Sequence, residues 1–215
     1  MTLTADLRVF ELLASRLCHD IVGPIGAVNN GMELLEDDDD ADMAADAIEL
    51  VAASACQAAN SLQFYRLAYG MTGTQLDANG PELAKLAGAF LERTKARLDW
   101  PNGALPDLVP EGFAKLLMNL VALAAESLPR GGTVALSFAG EGAGLSLTAQ
   151  ARGEGCGLKP EVAAALAADC EIAELTPRGV QGHFTRLLAQ RAGGSLQAAP
   201  SGKAGYDFIV ELPGN

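Results

Sequence analysis

The 215-residue sequence predicts an α+β protein in which an antiparallel helical hairpin precedes an α/β sandwich. Three observations carry this. Apolar residues recur at steps of three and four through residues 1–70, and mixed periods punctuated by Gly and Pro take over afterwards. Charge changes at the same place. Residues 1–70 carry three bases against twelve acids, net −9, and residues 71–215 carry twelve bases against fifteen acids, net −3. Gly70-Met71-Thr72-Gly73-Thr74 is the natural linker. The chain thus divides into a helical unit over 1–70 and a second unit over 75–215.

The first helix is read from Leu3, Leu7, Phe10, Ala14, Leu17, Ile21, Ile25, Val28, Met32 and Leu35, a stripe close to heptad spacing. Pro24 lies inside it and removes one backbone donor, so a kink is expected there. The acidic run Glu36-Asp37-Asp38-Asp39-Asp40 ends the pattern as a solvated turn whose last acids favour the next helix N-terminus. Contiguous acids of this kind do not converge on a metal ion. The second helix spans about Ala41 to Tyr69, with Ile48, Val51, Ala55, Ala58, Leu62, Tyr65 and Tyr69 as its stripe. Two helices cannot bury both stripes alone, and a second copy completes a four-helix bundle. The sequence therefore predicts a homodimer.

In the second unit, Pro81 to Leu98 and Glu111 to Leu128 read as helices. Thr133 to Ala139 and Leu145 to Gln150 alternate as hairpin strands around Gly140-Glu-Gly-Ala-Gly144. Pro160 to Ala168 is a short helix and Gly179 to Ala192 a longer one. Ser195 to Ala199 and Tyr206 to Leu212 close the sheet. Helices on one side of a mixed, mostly antiparallel sheet make the sandwich.

Composition bounds the function. A formal charge of −12 and a pI near 4.5 argue against nucleic acid and anionic membranes as partners. No run approaches a membrane span, and the N-terminus lacks the basic and apolar regions of a signal peptide. Cys18, Cys56, Cys156 and Cys170 form no C-x-x-C pair and read as reduced thiols of a cytosolic protein, with no zinc site.

The chain has two histidines. With about 100° per residue, His19 lies roughly 160° from both Leu17 and Ile21, on the face opposite the stripe. Leu12 and Val22 share that outward face, and Ser15 and Gly23 leave the imidazole accessible. Arg16 suits a phosphate, and Asp20 can hold one ring nitrogen in a set tautomer. An apolar rim around an imidazole, a cation and a carboxylate suits a protein partner that brings a charged group. His183, in Gly182-His183-Phe184, has no acid or cysteine spaced to join it and reads as structural.

His19-Asp20-Ile21-Val22-Gly23-Pro24 resembles the H-box of sensor histidine kinases, in which a histidine precedes an acid and, five positions on, a proline. The second unit resembles the ATP-binding domain of those kinases with its motifs degraded. Leu117 to Ala125 lies over the N-box, with Asn119 kept and Leu123 where the family holds magnesium through asparagine. Leu128-Pro129-Arg130-Gly131-Gly132-Thr133-Val134 keeps the turn into the next strand. Gly153-Glu154-Gly155-Cys156-Gly157 lies over the D-x-G-x-G box, with Gly153 at the adenine-binding aspartate. Gly179-Val180-Gln181-Gly182-His183-Phe184 lies over the phosphate loop, where His183 and Phe184 crowd a backbone cradle.

A kept histidine without an ATP site resembles the ChpT-type histidine phosphotransferases of alphaproteobacteria, over roughly 1–212 and most strongly from Leu13 to Leu35. That resemblance implies a histidine-kinase-like, Bergerat-type sandwich behind the hairpin. It also implies a cytoplasmic phosphorelay. The receiver domain of a hybrid histidine kinase would give a phosphoryl group to His19, and response regulators, including cell-cycle transcription factors, would take it. Catalysis would rest on His19, Asp20 and Arg16, with the receiver docked on Leu12, Ser15, Val22 and Gly23. No cofactor or metal is intrinsic, because the receiver brings its own Mg2+. Two other readings stay open from the residues alone: an ATP-dependent cytoplasmic kinase with divergent motifs, and a non-catalytic receiver-binding scaffold.

Overall fold

The computed structural model describes residues 6–37, 41–70, 79–140 and 144–214. Leu3, the acidic residues 38–40, the linker residues 71–74 and the loop residues 141–143 lie outside the described residues. Helices α1 (Leu7–Asp37) and α2 (Ala41–Tyr69) form the hairpin. Helix α1 runs on through Pro24. Among the described residues no helix is long and apolar enough to cross a membrane.

The second unit runs α3 (Gly80–Glu92), β1 (Ala96–Asp99), α4 (Phe113–Glu126), β2 (Gly132–Ala139), β3 (Gly144–Arg152), α5 (Pro160–Leu166), α6 (Val180–Arg191), β4 (Ser195–Pro200) and β5 (Gly205–Pro213). The sheet order is β1-β2-β3-β5-β4, and only β1 with β2 is a parallel pair. Alternation decides which face is covered. Val134, Leu147, Ala149, Phe208 and Val210 are buried on one face against α4 and α6, while Arg152 pairs with Asp207 on the other.

One helix is shorter than its periodicity predicts. Asn79 caps α3 by accepting from the Glu82 amide at 3.0 Å, and Pro81 sits in the first turn. The helix stops at Glu92 instead of continuing to Leu98. Lys95 turns the chain with φ +56°, its carbonyl accepts from the Gly132 amide at 3.3 Å, and Ala96 to Asp99 join β2. A parallel ladder outweighs the helical pattern of these four residues.

Burial on α1 also differs from the stripe. Val9 and Leu13 are buried against Ala165, Leu175 and Val180, and Leu12 packs half-buried on that cluster. Phe10, Ile25 and Met32 of the predicted stripe are exposed, as are Ile48 and Leu62 of α2. Leu17 packs on the main core. Helix α1 therefore carries two apolar rows. One meets the second unit, and the other remains open in the single chain.

The main core crosses the linker. Phe64, Tyr65, Leu67 and Ala68 of α2 are buried with Leu83, Phe90 and Leu91 of α3 and with most of α4. Phe64 stacks on Phe90 with ring centroids 3.6 Å apart and planes 11° from parallel.

Candidate functional site

Val9, Leu13, Arg16 and Asp20 fall within an arc of about 60° on α1. This arc faces the second unit, which explains why two charged residues are drawn inward. Arg16 pairs with Glu126 at the end of α4, and its side chain is only 13% exposed. It does not open on the His19 face where a phosphate was expected beside it. The Glu126 carboxylate raises the Arg16 guanidinium above its ordinary value despite burial, so Arg16 is cationic.

Asp20 is held by two elements at once. Its Oδ2 accepts from Nη2 of Arg93 at 2.8 Å and from the Tyr65 hydroxyl. Arg93 Nη2 also donates to that hydroxyl oxygen at 3.2 Å. Burial pushes the Asp20 carboxyl up, but the Tyr65 hydrogen bond and the Arg93 charge outweigh it and hold the group below its ordinary value. Asp20 is thus a carboxylate at neutral pH. Its other oxygen, Oδ1, lies 3.3 Å from Nδ1 of His19.

His19 itself is open, with 88% of its side chain exposed beside an Asp20 that is 15% exposed. Val22 is 69% exposed, and Ser15 and Gly23 are exposed on the same face. A Cβ added at Gly23 meets nothing within 4 Å. The structure brings His19, Val22, Ser15 and Gly23 to one open surface, with Asp20 reaching His19 from the packed side. Leu12 stands at its half-buried edge, and Arg16 lies behind it.

Sequence reasoning missed Tyr65, Arg93 and Glu126. Tyr65 had a place in the apolar stripe of α2, and no spacing links Asp20 to an arginine 73 positions later. One signal was present: Asp20 lies about 60° from Leu17 of the apolar stripe, and therefore toward the packed side of α1.

The kinase-like motif positions are occupied by packing. Asn119 is buried and its Nδ2 donates to the Ala68 carbonyl at 2.7 Å. Gln181 Nε2 donates to Asn119 Oδ1 at 3.0 Å, and the Tyr69 hydroxyl donates to Gln181 Oε1 at 2.6 Å. Leu123 is fully buried. A Cβ at Gly153 would strike the Gly131 carbonyl, so that turn has no room for the aspartate of the family motif. Gly182 sits where a Cβ would lie 3.3 Å from the Val162 carbonyl and 3.2 Å from Leu166 Cγ, so it serves the close packing of α5 on α6. His183 is buried with Nδ1 3.3 Å from Arg186 Nη2, and burial, helped by Arg186, pushes its imidazole down. Phe184 meets Tyr69 edge-on at 5.8 Å. Among the described residues no three His, Cys, Asp or Glu side chains are grouped to hold a metal ion.

An open histidine with its acid on a helical hairpin, backed by such a sandwich, defines a phosphotransferase of the histidine type. The family model for the histidine phosphotransferase C-terminal domain matches residues 80–204, and the chain belongs to the ChpT-like histidine phosphotransferases. It is 33% identical over 196 residues, covering 90% of each chain, to the protein phosphotransferase ChpT of Brucella abortus (strain 2308). A solved structure of a bacterial phosphotransferase superposes with a TM-score of 0.79 at 30% identity, covering 98% of both chains.

Proposed function

We propose that this phosphotransferase relays a phosphoryl group between receiver domains through phosphohistidine at His19, without using ATP. His19 carries the reading: an exposed imidazole whose Nδ1 faces the Asp20 carboxylate, with Val22 exposed beside it. The Nε2 lone pair attacks the phosphorus of an aspartyl phosphate on the receiver of a hybrid histidine kinase. The bond from phosphorus to the aspartyl oxygen breaks, and its electron pair leaves with that carboxylate. The Nδ1 proton stays on the ring, next to the Asp20 charge. The phosphohistidine then passes its phosphoryl group to the aspartate of a response regulator by the reverse step. Charge spread over the phosphoryl oxygens makes positioning and electrostatics the main demands. Magnesium is supplied by the receiver. The experiment is transfer of labelled phosphate from a phosphorylated receiver to the chain. Acid-labile label on the protein is expected, and a chain that stays unlabelled would sink the reading.

Two copies pair through the open row of Phe10, Ile25, Met32, Ile48 and Leu62 into a four-helix bundle, which places two His19 faces on one cytoplasmic dimer. Exposed apolar groups of this size along one hairpin favour a partner helix pair.

ATP independence is supported by Leu123, Gly153 and the packed start of α6. No heat of binding is expected on titrating ATP with magnesium into the protein at tens of micromolar, and no self-labelling from labelled ATP. A micromolar dissociation constant would restore the kinase reading.

The docking face gives a second expectation. Val22 is open to water, so Val22→Glu is expected to change folding stability by no more than about 0.5 kcal/mol. Transfer from a receiver is expected to slow by roughly tenfold or more, because few residues at an interface centre carry most of its affinity. Stopped assays beside a thermal melt test this. Transfer at the wild-type rate would move the docking face elsewhere.

A further inference from the structure

We propose that Arg93 and Tyr65 are positioning residues for His19. Acting through Asp20, they decide which ring nitrogen attacks. This rests on the transfer reading above and adds a task for the second unit. An aspartate beside a histidine on an exposed helix would ordinarily turn to water. Here one oxygen, Oδ2, is occupied by Arg93 Nη2 at 2.8 Å and by the Tyr65 hydroxyl. That leaves Oδ1 toward His19 Nδ1. The two donors come from the C-terminal cap of α3 and from α2, so Asp20 is fixed from outside its own helix.

The donors are themselves held. The Arg93 guanidinium lies over the Phe90 ring at 4.4 Å. The Tyr65 ring is buried and stacks on Tyr69 with centroids 5.0 Å apart. A carboxylate fixed in this way keeps the ring proton on Nδ1 and leaves the Nε2 lone pair facing solvent. The Arg93 cation also offsets the Asp20 charge, which would otherwise oppose an incoming phosphoryl group. Phosphotransfer geometry is thus set by a side chain of the sandwich that lies 74 positions from the histidine it serves.

The competing account is that Arg93 and Asp20 only staple the two units together. Arg93→Met, which keeps a long side chain over Phe90, separates the two. The readouts are ring 15N shifts of His19 in the full-length protein at about pH 8.5, where a free imidazole is neutral, and transfer rates over a range of receiver concentrations. His183 supplies the only other imidazole signals. A positioning role predicts that the Nδ1–H tautomer of wild type gives way to a mixture. It also predicts a saturating transfer rate lower by about tenfold, with half-saturation by the receiver unchanged. Arg93→Lys should recover part of the rate. A lowered melting temperature with the tautomer and the saturating rate unchanged would overturn the proposal. If Arg93→Met fails to fold, Tyr65→Phe carries the same readouts, because it removes one donor and leaves the ring. A wild-type chain that never accepts phosphate would sink the transfer reading, while the tautomer comparison would still decide this one.

Discussion

His19→Ala is expected to abolish phosphoryl acceptance while leaving a folded protein. Under the proposed relay the His19 imidazole is the attacking group, a better nucleophile near neutral pH than the Ser15 hydroxyl beside it, so its loss removes the step itself. His183, the one other histidine, is buried and cannot substitute. Little stability is lost, because the His19 side chain is 88% exposed and pairs only at long range, 3.3 Å, with Asp20. Changes at such surface positions stay within about 0.5 kcal/mol, which for a chain of this length moves the melting temperature by roughly 1–2 °C. Labelled phosphate from a phosphorylated receiver should therefore reach wild type and not the variant, at nearly equal melting temperatures. Residual acid-labile label on the variant would place the acceptor elsewhere.

Phe64→Ala is expected to have the largest effect on stability. The ring is fully buried, stacked on Phe90 at 3.6 Å and set edge-on to Tyr65 at 5.8 Å. Truncation loses the transfer free energy of the ring and leaves a cavity between α2 and α3 that those helices cannot close without moving Tyr65. Such changes cost about 3–5 kcal/mol. At roughly 2–4 °C per kcal/mol, the melting temperature should fall on the order of 10 °C. Transfer at low temperature should also weaken, because Tyr65 supports Asp20. A fall of under about 2 °C in a thermal scan would show that the helices repack around the gap.

Much of this structure is legible from local pattern. The steps of three and four set the bounds of α2 correctly, and the alternation from Thr133 and Leu145 marks the central hairpin. The sequence around His19 places its imidazole on an open face. What stays hidden depends on long-range packing. Val9 and Leu13 make a second apolar row on α1, but the stronger heptad row masks it until the sandwich is present to bury it. Arg16 reads as a cation free to meet a phosphate because its partner, Glu126, is 110 positions away. Strand β1 has four residues in helical sequence context and exists only because β2 offers it a ladder. Nothing in the local sequence marks Arg93, since its contact with Asp20 requires α1 to meet the end of α3.

The continuation of the core from α2 into α3 and α4 bears on how far the hairpin is a portable module. Cutting the chain at Gly70 would strip the cover from Phe64, Tyr65, Leu67 and Ala68 at once, and would take both Arg93 and Glu126 from their partners. A fragment of residues 1–70 would carry His19 on a greasy, half-dressed rod. Grafting that fragment onto another protein would transplant His19 and Asp20 without the Arg93 contact that holds the carboxylate. A hairpin of 70 residues thus depends on a second unit of 145 residues, about twice its own length, and has no simple way of shedding it.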